Sequence, residues 1–312
     1  MDDRQIQVVE AAVPAFEAFS KSIDKEELDS LVVTLRRTIE STGTLGRTVH
    51  GFGIKGSISS MLPIIIAGLT TGSNEQREQA AYAIGDLVER TEEAAFKPYV
   101  VQFTGPLIRV ATQATAYPPG VKVAILKSLI AMLERIPTQL KPFFPQLSRT
   151  FVKSCNDGSL AVRNVAAKAL GALTKNTQTR VDALLTELIS TAKASEDEAI
   201  AASLVLALAY VVRNGISSIG PESKNACISL IESAFRARHD GASIHDPQVH
   251  TDWPSRAIPP RSSDFVHEPG DNSGNIEPNN TVSRHPRILR IAEQYCAVRI
   301  FYKERPQASF RA

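Results

Sequence analysis

Val162-Arg163-Asn164-Val165-Ala166-Ala167-Lys168-Ala169-Leu170-Gly171-Ala172-Leu173 is the run from which the fold of this chain can be read. Positions 162, 166, 169, 170 and 173 recur at helical spacing and fall on one face. The small residues let a neighbouring helix approach closely, while Leu170 and Leu173 fill the space between helices. The pattern also stands 86 residues upstream, as Gln76-Arg77-Glu78-Gln79-Ala80-Ala81-Tyr82-Ala83-Ile84-Gly85-Asp86-Leu87. Seven positions agree: Arg, Ala, Ala, Ala, Ile/Leu, Gly and Leu. A related helix, residues 121–133, lies midway, so the offset divides into two periods of 43. Glu89-Arg90 returns as Glu134-Arg135, and Lys97-Pro98-Tyr99 as Lys141-Pro142-Phe143.

Helix pairs repeating every 40–47 residues or so are what HEAT and armadillo arrays show. The fold class expected is therefore all-α, a HEAT-repeat α-solenoid spanning residues 1–240. Gly85 and Gly171 inside helices each cost about 1 kcal/mol against alanine, tolerable where packing needs bare backbone. An acidic residue just before the arginine (Glu75 before Arg77, Asp157 before Arg163) predicts a ladder of ion pairs between repeats. The opening helix contains Pro14 as a kink or break, and a second runs over 24–40 with Asp24 and Glu27 as a capping pair. A glycine-rich loop covers 41–57; helix pairs follow at about 58–90, 97–136, 142–176 and 179–214, with a last helix over 221–238.

Composition agrees. Aromatics are 6% and hydrophobics 43%, so aliphatics and alanine carry the core, which favours helix-on-helix packing. Lys+Arg is 35 against Asp+Glu 33, a net charge of +2, with no long basic run; direct nucleic-acid binding is not expected. Cys155, Cys227 and Cys296 form no CxxC pair and no disulfide framework, as in a reducing compartment. The apolar run 200–212 is too short to cross a bilayer, and the charged start leads into no signal-type core. A cytoplasmic protein is expected.

Residues 241–312 read differently, holding 8 of the 18 prolines and one leucine, Leu289. So little aliphatic surface cannot offset chain entropy, and this tail is expected to be mostly disordered, with one short helix near 286–305.

No chemistry-bearing constellation stands out. The loop 41–56 has five glycines with Arg47, His50 and Lys55, but lacks the GxxxxGK[ST] spacing. A long, mobile connection between two solenoid helices, open to partner contact, is the better reading there. His239, His245, His250, His267 and His285 match no zinc module. Glu92-Glu93 reads as a solvated pair, and Asn279-Asn280-Thr281 as an incidental sequon. No catalytic, metal or cofactor residues are assigned, and the chain is expected not to be an enzyme. A solenoid surface is where such proteins bind, and an arginine there can clamp a partner carboxylate at two points. Arg109 sits in the first helix of its pair, with basic residues recurring nearby at Lys97, Lys122, Lys127, Lys141, Arg149 and Lys153. Of Phe143 and Phe144, one ring is expected in the core and the other partly exposed.

Three blocks carry a family likeness: residues 96–110, FKPYVVQFTGPLIRV; residues 140–153, LKPFFPQLSRTFVK; and residues 166–173, AAKALGAL. They resemble the C-terminal HEAT-repeat region of the general-control (non-derepressible) translational activator family, over most of residues 1–240. That resemblance implies a non-enzymatic scaffold, part of a ribosome-associated activator. It implies docking of the RWD domain of the amino-acid-starvation kinase that phosphorylates initiation factor two alpha. Carried over by position, Arg109 is the first docking residue and Phe143 the second, with Lys141, Arg149 and Lys153 beside them. Family members are many times longer, so ribosome contact is expected only indirectly. The alternative is a generic HEAT scaffold of a transport or phosphatase assembly.

Overall fold

The computed structural model describes residues 6–42, 48–113, 117–177 and 180–239. The expectations for the tail 241–312 and its helix near 286–305 lie outside these residues. In chain order the helices are α1 (Ile6–Ser22), α2 (Lys25–Leu28), α3 (Val32–Ser41), α4 (Ser57–Thr70) and α5 (Asn74–Arg90). They continue with α6 (Glu93–Phe96), α7 (Val100–Thr112), α8 (Pro119–Arg135), α9 (Pro137–Leu140) and α10 (Phe144–Ser154). The last are α11 (Leu160–Lys175), α12 (Val181–Ala194), α13 (Glu198–Gly215) and α14 (Pro221–His239). No strand occurs among the described residues.

The pairs stack in two rows. The second helix of each pair packs on the next, in the order α3, α5, α8, α11, α13, and the first helices follow as α1, α4, α7, α10. One apolar seam runs through every repeat, from Leu28 to Cys227. Each fully buried Leu or Ile in it contributes roughly 1.5–3 kcal/mol of transfer free energy. This is the HEAT-repeat solenoid, and its period is visible in single contacts. Asn176 Nδ2 donates to the carbonyl of Leu133, 43 residues away, at 3.2 Å, and Arg36 Nη1 to Gln79 Oε1, also 43 away, at 3.1 Å.

The glycines stand where the rows pinch. A Cβ on Gly171 would lie 2.9 Å from Tyr210 Cβ on α13, and one on Gly85 3.0 Å from Ser128 Oγ on α8. The Ser128 hydroxyl donates to the carbonyl of Ala81, bonding α8 to α5 at that crossing.

Several local expectations need correcting. The predicted helix 24–40 is two helices, because the chain turns at 29–31. Asp24 occupies the N-cap of α2 but its side chain makes no capping bond. A true capping box forms at α5, where Ser73 and Gln76 bond reciprocally. Helix α1 runs through Pro14 unbroken. The arginines do not pair with the preceding carboxylates: Arg163 donates to the carbonyls of Asp157 and Gly158 and to Ser203 Oγ of the next repeat. Arg77 likewise closes the end of α4 on the carbonyls of Leu69 and Thr70, its guanidinium over the Tyr117 ring. Asp157 instead pairs across repeats with Lys122 on α8, at 2.7 Å from its Oδ2. Helix α13 extends the apolar run 200–212 to 18 residues, so by length and composition it could cross a bilayer. Its apolar side chains are instead packed against α11 and α12.

Candidate partner-binding surface

The residues singled out for docking all lie on the first-helix row, on α7, α10 and the turn before α10. Arg109 is exposed in the last turn of α7, where a cation suits the helix C-terminus, and forms no ion pair among the described residues. Lys153, exposed on α10, reaches across to α7 and donates to the Thr112 carbonyl at 3.4 Å. The Thr112 hydroxyl in turn donates to the Arg109 carbonyl at 2.8 Å, so Arg109 and Lys153 belong to one basic edge where α7 and α10 end. Phe143 closes the short 3-10 turn Lys141–Phe143, half-buried against the core, while Phe144 is buried. The expected division between the two rings is therefore present.

Lys141 and Arg149 stand elsewhere: Arg149 over a depression that α10 shares with α11 and α12, and Lys141 over an adjoining one between α9, the start of α10 and the end of α11. The candidates thus divide into an α7–α10 edge (Arg109, Lys153), a supporting turn (Phe143), and the other side of α10, with Arg149 towards α12 and Lys141 towards the end of α11. Sequence spacing could not make this division. Arg149 and Lys153 are four residues apart and share the outer stripe of α10, and only the neighbouring helices send one side chain towards α12 and the other towards α7.

The described part of the glycine loop, residues 48–56, is anchored. Val49 and Phe52 are buried, the Val49 N–H bonds the Arg90 carbonyl at 2.7 Å, and Ser57 Oγ donates to the Phe52 carbonyl at 2.9 Å. Gly56 takes a left-handed φ of 95°, which lets the chain turn into α4. His50 and Lys55 are exposed; Arg47 lies outside the described residues.

The second-helix row carries a polar cluster that sequence reading missed. Arg90 is only 1% exposed, and its guanidinium closes the end of α3 by donating to the carbonyls of Glu40 at 3.1 Å and Thr42 at 3.2 Å. It also meets Asp86 Oδ1 at 3.4 Å, and Arg36 approaches the other oxygen of Asp86 at 3.4 Å. Burial pushes the Asp86 carboxyl above its usual range, against the pull of Arg36 and Arg90. Arg36 and Lys127 both lie over the Tyr82 ring, 5.2 and 5.7 Å from its centroid. Burial also lifts the Cys155 thiol to about 12 and the Cys227 thiol to about 11, so neither is a ready nucleophile. Among the described residues no three His, Cys, Asp or Glu side chains converge as metal ligands would. The partly buried carboxylates Asp86 and Asp157 are held by cations from their own or neighbouring helices rather than presented to a groove.

No family model matches the sequence, and no solved structure does. Whole-sequence relatives do. The eIF-2-alpha kinase activator GCN1 of Saccharomyces cerevisiae is 38% identical over 245 residues, covering 78% of this chain and 9% of that protein. The stalled ribosome sensor GCN1 of Homo sapiens is 34% identical over 246 residues, again 78% and 9%. Protein ILITYHIA of Arabidopsis thaliana is 34% identical over 231 residues, 72% of this chain and 8% of its own length. The chain therefore spans less than a tenth of the length of these relatives.

Proposed function

Because the chain belongs to the GCN1 family, we propose that its solenoid is a non-enzymatic scaffold that docks the RWD domain of the starvation-activated kinase and so supports phosphorylation of initiation factor two alpha. Two relatives whose names describe a kinase activator and a stalled-ribosome sensor support the general role. Ribosome contact in this reading is indirect, made by other parts of so long a relative and not by this solenoid. The chain acts in the cytoplasm, as a domain of residues 1–240.

The observation that carries the reading is the basic edge at the ends of α7 and α10. Arg109 projects from the last turn of α7 with its guanidinium in no ion pair among the described residues, ready for two-point bonding to a carboxylate on the RWD surface. Lys153 adds a second cation beside it and also ties α10 to α7. Phe143 acts by seating α10 against the core, which keeps that edge in place, and Lys141 and Arg149 widen the positive surface.

The test is a titration of the kinase's RWD domain against the wild-type chain and Arg109→Ala by calorimetry. The substitution should leave folding within about 0.5 kcal/mol, since it removes an exposed side chain. Binding should weaken by about 1–3 kcal/mol, the range for a charged hydrogen bond at an interface. Equal affinity for both chains removes Arg109 from the contact.

A further inference from the structure

Among the described residues, the first-helix row is closed at every step but one. Successive helices pack directly at α1/α4, α4/α7, α7/α10 and α12/α14, whereas α10 and α12 barely meet. A depression of about 210 Å³ opens between them, lined by Phe144, Leu173, Val181 and Leu184 below and by Arg149 and Arg180 at the rim. A second depression, of about 610 Å³, adjoins it through the shared residues Phe144 and Thr177 and brings in Lys141 and Lys175. All four cations are exposed and none forms an ion pair among the described residues. One carboxylate, Glu187, lines the same groove. Four positive groups against one negative leave a strongly basic rim over an apolar floor.

We propose that this α10–α12 groove is a docking site for an acidic segment of a partner protein that carries an apolar side chain. The floor of Phe144, Leu173, Val181 and Leu184 removes that side chain from water, and Arg149 and Arg180 hold carboxylates on either side of it. Lys141 and Lys175 continue the attraction along the second depression. Charge and apolarity together choose a peptide over a nucleic acid. A phosphate backbone uses the cations but not the floor, and stacked bases need an open aromatic face, whereas Phe144, the aromatic residue of the floor, is buried. The groove shares Lys141 and Arg149 with the positive surface proposed above, but the inference does not rest on the kinase being the partner, because the floor and Arg180 lie between α10 and α12 while Arg109 stands on α7.

The test is fluorescence anisotropy on the full chain. The probes are a short labelled peptide of glutamates around a pair of leucines, its leucine-to-serine and glutamate-to-lysine versions, and a labelled oligouridine. The acidic leucine peptide should bind saturably and more weakly as salt is raised. Arg149→Ala and Arg180→Ala should each weaken it about tenfold, and Lys21→Ala, an exposed cation on α1 at the far end of the stack, should leave it unchanged. The serine peptide should bind less well, and Arg180→Glu should gain affinity for the lysine peptide. Matching far-UV circular dichroism shows that the variants are folded. Absence of saturable binding, affinities untouched by both groove variants, or tighter binding of oligouridine overturns the proposal. So does loss of peptide binding in Lys21→Ala, whereas an Arg180→Ala chain that loses the peptide supports the groove whatever its affinity for the RWD domain.

Discussion

Arg90 and Arg135 occupy matching places in a repeated Glu-Arg pair, yet the structure gives them opposite energetics. Arg90 is 1% exposed and bonds the carbonyls of Glu40 and Thr42, whereas Arg135 is exposed. Replacing Arg90 by methionine keeps most of the packing volume and deletes the guanidinium. Each hydrogen bond from a charged donor contributes about 1.5–3 kcal/mol net. Glu40 is exposed and Thr42 half-buried, so water recovers part of the loss at both carbonyls, which favours the low end of that range. Two such bonds give an expected destabilisation of about 3 kcal/mol for Arg90→Met, against about 0.5 kcal/mol or less for Arg135→Met. Urea unfolding followed by far-UV circular dichroism measures both. Because solenoid repeats can open separately, amide exchange adds a local readout. Protection should fall first in α3 and at Val49, whose N–H bonds the Arg90 carbonyl. Equal costs for the two substitutions would refute the reasoning, since it assigns the difference wholly to burial and bonding.

Two further outcomes follow from the same packing. Gly171→Ala gains about 1 kcal/mol of helix propensity but places a Cβ 2.9 Å from Tyr210 Cβ, and such overpacking costs about 1–3 kcal/mol. A net loss is expected in urea unfolding, larger than for Gly85→Ala, whose nearest neighbour is the Ser128 hydroxyl; a stabilised Gly171→Ala speaks against the close approach. Asp86 is raised by burial, so the folded chain binds its proton more tightly than the unfolded one, and this group lowers stability as pH rises from its ordinary 3.8 through the folded value. Asp86→Asn lacks that loss, so its stability relative to wild type should climb with pH across the acid range in parallel melts; a pH-independent difference contradicts the assigned shift.

Much of the architecture was legible because the seam is periodic. The Ala-Ala-x-Ala-Leu-Gly pattern placed α5 and α11 correctly, and the offset of 86 located α8 between them. Local chemistry was less legible. Nothing near Asp24 distinguishes a capping carboxylate from an idle one, and the actual capping box at Ser73 lies in a plain turn. The partner of Asp157 is Lys122, 35 residues earlier, rather than the nearby Arg163, because carbonyls at the turn before α11 capture that guanidinium first. The candidate docking residues were read as one set, but the helices on either side of α10 divide them.

The helix pairs, their period and their apolar faces belong to the chain itself, since spacing along a helix dictates which residues share a side. Stacking decided the rest: which arginine is buried, which carboxylate meets which cation, and where the first-helix row gapes. Those outcomes depend on residues tens of positions apart meeting in space, and no local pattern encodes the distance between two helices that never pair directly.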